Sequence, residues 1–341
     1  MSRTAPPSFM FLQTNQRCNL RCTHCHYWRN TDADKPNYLT NERRRELVAE
    51  FAELGGRNVV TCGGEPMLDF DDYFDLMGAA RANGVGCLSV INGTRVQTRE
   101  VAERMIAEGP SEITVSLDHW QADTHDRLRG KAGSHRLAVR ALDLLLSARA
   151  RARAATPLYI MTILSEDTWP TLDMFYRFAL VGVGADKLKL NVIQPTFQGP
   201  RVDTYFAGAR VSNVELCMEM IRNCDRIWNI HRNPKWLAAV EMYLRSVQQC
   251  ASPLLGWANR GTEEAICNSY DRNVMVDLYG RARLCFSGTY PAVLLERRGD
   301  LEKFWNRDSL PIRDSMVGCR QYCGISHSVR QEPATFKLGG K

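Results

Sequence analysis

Long apolar runs are missing from this 341-residue sequence. The longest, FMFL at 9–12 and ALDLLL at 141–146, fall far short of the ~20 apolar residues that a bilayer-spanning helix needs. The first residues, MSRTAPPSFMFLQT, lack an apolar segment followed by a small-residue cleavage site, so no signal peptide is expected and the chain is expected to be cytoplasmic. Lysine is scarce, with eight in all, so the formal net charge of +6 comes from arginine. The arginines are scattered (NERRRE, RARARA, LLERRGD), as suits solvated helix faces or an electropositive cleft for a phosphorylated substrate. Basic and aromatic residues do not alternate as in a nucleic-acid groove, so neither nucleic acid nor membrane is expected as a partner. Internal repeats and low-complexity segments are also missing. What remains, 44% hydrophobic and 24% charged, is the composition of an ordinary globular protein.

Twelve cysteines are present. A reducing compartment disfavours a disulfide framework, and clustered thiols then point to metal. Seven fall into two groups, Cys18/Cys22/Cys25 and Cys267/Cys285/Cys319/Cys323. Cys62, Cys87, Cys217, Cys224 and Cys250 read as buried small hydrophobes.

Residues 8–193 alternate strand and helix patterns. Strands are expected at 8–14, 58–62, 87–91, 112–117, 158–164 and 187–193, giving about six β/α units. Thr40 is the expected N-cap of the first helix, and Gly55 and Gly56 its stop. Such alternation implies α/β architecture with a parallel sheet, and six units suit an open or partial TIM-like barrel. Reactive groups then belong at the C-terminal strand ends, where the first cysteine group lies. The expected organisation is a partial barrel over 1–200, a helical connection over 201–255, a cysteine-rich region over 256–330 and a tail over 331–341. Within the third, NVMVDLYGRARLC reads as a hairpin turning at Tyr279-Gly280.

Three thiolates in Cys18-x3-Cys22-x2-Cys25 can hold zinc, with His24 or His26 as a fourth ligand, or an iron–sulfur cubane. Three cysteines leave one iron of a cubane open to an exogenous ligand. This spacing after a first strand resembles the radical S-adenosylmethionine (SAM) superfamily. CGGEP at 62–66 resembles that superfamily's segment for the SAM amino group. INGT at 91–94 and VSLDHWQADTHDRLRGKAGS at 115–134 resemble its ribose- and carboxylate-contacting stretches. The resemblance covers residues 8–193, with the segments in order on successive strand ends. It implies a [4Fe–4S] cluster on Cys18, Cys22 and Cys25, with SAM chelating the open iron. One electron from a donor such as flavodoxin or ferredoxin then splits SAM to a 5′-deoxyadenosyl radical that takes hydrogen from substrate. The SAM-contacting residues implied are Gly63, Gly64, Glu65, Asn92, Ser116 and Arg129, with Asn191 added by its position on the sixth strand. His24 stands where the family often has an aromatic residue, and can still lie over an adenine.

GRARLC, a Gly-x4-Cys element with Cys267 upstream, resembles the SPASM/Twitch subgroup. Four cysteines, rather than the seven of a full SPASM extension, imply one auxiliary [4Fe–4S] cluster on Cys267, Cys285, Cys319 and Cys323. The Cys319-x3-Cys323 spacing departs from the usual Cys-x2-Cys, and zinc at these four is the alternative. If the reaction is redox-neutral, Cys250 is a candidate hydrogen donor to the substrate radical.

Only seventeen residues precede Cys18, so no N-terminal peptide-recognition domain is expected. The resemblance then favours a small-molecule substrate, phosphorylated or not: a sugar, aminocyclitol or nucleotide sugar of antibiotic biosynthesis, dehydrogenated or epimerised by an oxidoreductase or epimerase. The alternatives are radical C–C bond formation on a nucleotide sugar, peptide maturation, and a zinc-stabilised binding protein.

Overall fold

A computed structural model describes residues 5–25, 27–30, 35–192, 211–230, 232–249, 268–286 and 290–318. Six strands run parallel in chain order: β1 (Phe9–Asn15), β2 (Asn58–Gly63), β3 (Gly86–Ile91), β4 (Glu112–Ser116), β5 (Leu158–Leu164) and β6 (Lys187–Val192). Each matches an expected strand to within two residues. The helices between them are α1 (Asn41–Glu53), α2 (Phe70–Ala82), α3 (Arg99–Ala107), α4 (Ala122–Arg129), α5 (Ser134–Ala152) and α6 (Leu172–Arg177). Thr40 caps α1 as expected, its hydroxyl accepting from the Arg43 N–H at 3.1 Å. A π-helical turn over Phe178–Val183, unforeseen from sequence, extends α6.

Strand order following chain order means that every crossover steps the same way. Right-handed crossovers then put the connecting helices on one face. Side-chain alternation shows the two faces. In β5, Leu158, Ile160 and Leu164 are buried in the main core, whereas Met161 and Ile163 line a cavity on the other face.

The expected hairpin is present. β7 (Asn273–Val276) and β8 (Arg281–Arg283) are antiparallel, and Gly280 takes φ +81° in the turn. The hairpin continues the main sheet, since β7 pairs parallel with β1; β9 (Val293–Leu294) follows β8. The nine-stranded order is β6-β5-β4-β3-β2-β1-β7-β8-β9. Beyond β6, α7 (Val214–Ile227) and α8 (Pro234–Gln249) are the two helices expected there. No described helix is long and apolar enough to cross a membrane.

Several described arginines are paired at the surface, as in Arg45–Asp75, Arg99–Glu103 and Arg127–Asp167. Solvated helix faces account for much of the positive charge.

Candidate active site

The residues after β1 form a loop pinned on two sides. On one side, Gly64 N–H donates to the Asn15 carbonyl at 3.0 Å and Glu65 N–H to the Arg17 carbonyl at 2.7 Å. On the other, Arg21 N–H donates to the Arg129 carbonyl at 3.0 Å and Thr23 N–H to the Leu128 carbonyl at 2.8 Å. These acceptors are terminal carbonyls of α4, left free by the end of the helix, so the cysteine loop caps it. Close approach explains the glycines. A Cβ on Gly64 would lie 1.8 Å from the Arg17 carbonyl oxygen, and one on Gly63 (φ +115°) 2.1 Å from that of Asn15. Gly130 (φ +63°) is similarly held against the Arg21 carbonyl oxygen at 2.3 Å. The glycines of CGGEP are thus required first by the chain's own packing.

This loop places Cys18, Cys22 and Cys25 on the wall of a cavity of about 750 Å³ over the inner sheet face. Gly63, Gly64 and Glu65 after β2 line it too, as do Asn92 after β3 and Ser116 at the end of β4. Arg129 and Asn191 complete the set, so one space gathers every SAM-contacting residue named from sequence. Of the second cysteine group, only Cys285 lies among the described residues; it is partly buried and precedes Phe286, which lines the same cavity. Cys267, Cys319 and Cys323 lie outside the described residues, as do Cys250 and His26. Cys87, Cys217 and Cys224 are buried in the core as expected. Cys62 differs, facing the cavity from the inner sheet face.

The thiols are poor acids as they stand. Burial pushes Cys18 up to about 11 and Cys25 up to about 12, helped by the neighbouring thiols, and Cys22 is raised too. Three thiolates here require compensating positive charge. Two donors already point at them: Arg129 Nη1 lies 3.8 Å from Cys22 Sγ, and Asn92 Nδ2 lies 3.9 Å from Cys18 Sγ. Cationic iron bound by three thiolates, with N–H groups on two of the sulfurs, fits this donor set. Among the described residues no three His, Cys, Asp or Glu side chains converge as ligands of a single metal ion.

Glu65 is buried, and its carboxylate accepts from the N–H groups of Asn92 at 2.8 Å and Met67 at 3.3 Å. Burial pushes its pKa up to about 7, although both hydrogen bonds oppose the rise. A carboxylate so placed matches an incoming ammonium. Asn92 is more occupied than expected: its amide also donates to Asn19 Oδ1 at 2.9 Å, and its oxygen accepts from Thr94 N–H at 2.9 Å. The Ser116 hydroxyl makes no hydrogen bond within the described residues. Asn191 bonds back to its own strand, its Oδ1 accepting from Val192 N–H at 3.0 Å.

Sequence reasoning missed the partner of Arg129. Its guanidinium forms a two-point pair with buried Asp118, Nε to Oδ2 at 2.6 Å and Nη2 to Oδ1 at 2.9 Å. Burial would raise Asp118, but the guanidinium beside it holds the carboxyl below its usual range. His24 Nδ1 lies 3.9 Å from Asp118, and burial lowers that imidazole to about 4, leaving it neutral. His125 Nδ1 accepts the Asp118 N–H at 3.1 Å. The run Asp118-x10-Arg129 carried no periodic signal; the pair exists because the end of α4 returns to the segment that follows β4.

Comparison with known proteins agrees with this architecture. A curated AdoMet-dependent heme synthase of Methanosarcina barkeri is 26% identical over 203 residues, covering 60% of this chain and 55% of that protein. The mycofactocin maturase MftC of Mycolicibacterium smegmatis is 31% identical over 185 residues, covering 54% and 44%. The matches thus span about half the length of these relatives. Among solved structures, Streptococcus suis SuiB bound to precursor peptide SuiA superposes with a TM-score of 0.65 at 13% identity, over 93% of this chain and 68% of that one, which is a likeness of fold. The family model described as Radical SAM superfamily matches residues 12–179, from β1 into the turn that extends α6, and the chain therefore carries a radical SAM superfamily domain.

Proposed function

We propose that this chain cleaves SAM reductively at the Cys18/Cys22/Cys25 loop and takes hydrogen from an organic substrate lying on the inner sheet face. The observation that carries this reading is convergence: three thiols, a buried carboxylate with no ion pair among the described residues and the open Ser116 hydroxyl face one cavity at the C-terminal strand ends. When bound, the cluster and SAM supply the 5′-deoxyadenosyl radical. The chain's own part is to hold the thiols in one loop, to offer Glu65 to the amino group, and to set Ser116 beside it. Asn92 and Arg129 act on the sulfurs Cys18 and Cys22 through their N–H groups, and the reductant is a flavodoxin or ferredoxin.

Cys267, Cys285, Cys319 and Cys323 are proposed to hold one auxiliary cluster of the Twitch kind, in a C-terminal region over 256–330 that follows a 1–200 partial barrel and a 201–255 connection. With that cluster as electron acceptor the reaction is an oxidation; with Cys250 as hydrogen donor it is an epimerisation.

The relatives lend no support to a sugar or aminocyclitol of antibiotic biosynthesis. Peptide maturation is the second reading, favoured by the similarity to a mycofactocin maturase.

The test is iron and acid-labile sulfide per chain after anaerobic reconstitution, with 5′-deoxyadenosine measured after adding SAM and a reductant. About eight irons, falling to about four in the Cys18/Cys22/Cys25→Ala variant, is the expected result for two cubanes. Four falling to none would remove the auxiliary cluster. No 5′-deoxyadenosine from the wild type would remove the radical reading.

A further inference from the structure

The inner sheet face changes character across its width. β1 to β3 present Phe9, Phe11, Val60 and Leu88 to the cavity, whereas β6 presents Lys187 and Lys189. Two of the chain's eight lysines thus alternate on one short strand, a setting in which lysine is disfavoured. Arg232, just ahead of α8, lines the cavity beside them.

These cations are not equally neutralised. Lys189 Nζ pairs with Glu112 Oε1 at 2.6 Å and lies 4.4 Å from the centre of the Tyr159 ring. Arg232 Nε pairs with Asp225 Oδ1 at 2.7 Å, and its guanidinium stacks over Trp236 at 5.2 Å. Lys187 has no carboxylate within 4 Å among the described residues. It is solvent-exposed at the cavity's open rim, with Lys189 and Arg232 as like-charged neighbours. Burial of part of the chain and those two cations hold its pKa below the usual lysine range, with Glu112 opposing them. Three cations against two carboxylates leave one positive charge facing the cavity, next to an apolar wall.

We propose that Lys187, backed by Lys189, anchors an anionic group of the substrate, a carboxylate or a phosphate, while an apolar body lies across Phe9, Phe11 and Leu88. Lys187 begins β6 and Asn191 stands near its other end. At ~3.3 Å per residue the anchor lies about 13 Å below the level of the C-terminal strand ends. The substrate is therefore extended and amphipathic, with its reacting carbon roughly that far from its anionic end. This deepens the proposed function and rests on it for the position of the reacting carbon alone.

The test uses reconstituted, SAM-loaded protein and two fluorescent probes of similar shape, the anion 1-anilinonaphthalene-8-sulfonate and neutral N-phenyl-1-naphthylamine. Lys187→Met should weaken the anionic probe about tenfold, leave the neutral one unchanged, and be rescued by Lys187→Arg. Unchanged anion binding, or equal weakening of both probes, would overturn the proposal. Displacement of the anionic probe by inorganic phosphate, against displacement by decanoate, identifies which anion the site takes. A wild type that makes no 5′-deoxyadenosine sinks the radical reading, whereas the probe difference answers for Lys187 by itself.

Discussion

Two carboxylates are buried at the C-terminal edge of the sheet, Glu65 beyond β2 and Asp118 beyond β4, and they are held in opposite ways. Asp118 has its cation already, in the Arg129 guanidinium, and is ionised below its usual range. Glu65 has no ion pair among the described residues: it accepts only backbone N–H groups, Arg129 and Arg95 act on it more weakly than these, and burial carries it up to about 7. One carboxylate completes the protein's internal charge balance; the other is left for something that arrives. A buried acid is therefore informative about function through the partner it lacks.

The largest effect that would break this contrast comes from Asp118→Asn. Removing the charge strands a buried guanidinium, and denaturant unfolding should show a loss of about 3 kcal/mol. A loss below ~0.5 kcal/mol would mean that Arg129 finds its counter-charge elsewhere. Gly64→Ala should come next, at about 2 kcal/mol, because its methyl would have to displace the Arg17 carbonyl that pins the cysteine loop. A melting point equal to wild type would show that the loop yields.

Glu65→Gln sharpens the contrast through pH. With a folded pKa near 7 against an ordinary 4.5, the folded wild type retains a proton that the unfolded chain releases. The stability tied to that proton is complete below pH 4.5 and is lost as pH rises through 7. Glutamine cannot ionise, so the variant should gain on wild type between pH 5 and pH 8, by up to ~3 kcal/mol. His24 and His125, whose lowered pKa values act in the opposite sense in acid, cancel in this difference. A constant offset across that range would show that Glu65 ionises normally. Ser116→Ala should have the smallest effect on folding, within ~0.5 kcal/mol, because its hydroxyl has no described partner to lose. Calorimetric titration with SAM should nonetheless show weaker binding; an unchanged affinity would remove Ser116 from the contact set.

The strands were legible because each is a short apolar or, in β6, alternating run set off by turn or helix signals, and Leu158–Leu164 agrees with its expected limits to the residue. The thiols and CGGEP were legible because spacing within a few residues is local information. The β7–β1 pairing and the Asp118–Arg129 pair were not, because both depend on where distant segments come to rest. Nor could sequence tell that Cys62 faces the cavity while Cys87 faces the core, since a short apolar run does not say which way its pleat points.

The order of the sheet also bears on how the chain assembles during synthesis. Each of β2 to β6 pairs with the strand made just before it, so this part of the sheet can zip up from the N-terminus as the chain emerges. β7 is the exception: Phe9 of β1 pairs with Asn273, made most of a chain length later. Until then β1 carries an open edge, with unpaired backbone groups available to a wrong partner. That late edge adjoins the strand leading into the three thiols, so closing the sheet is among the last, most non-local steps of folding.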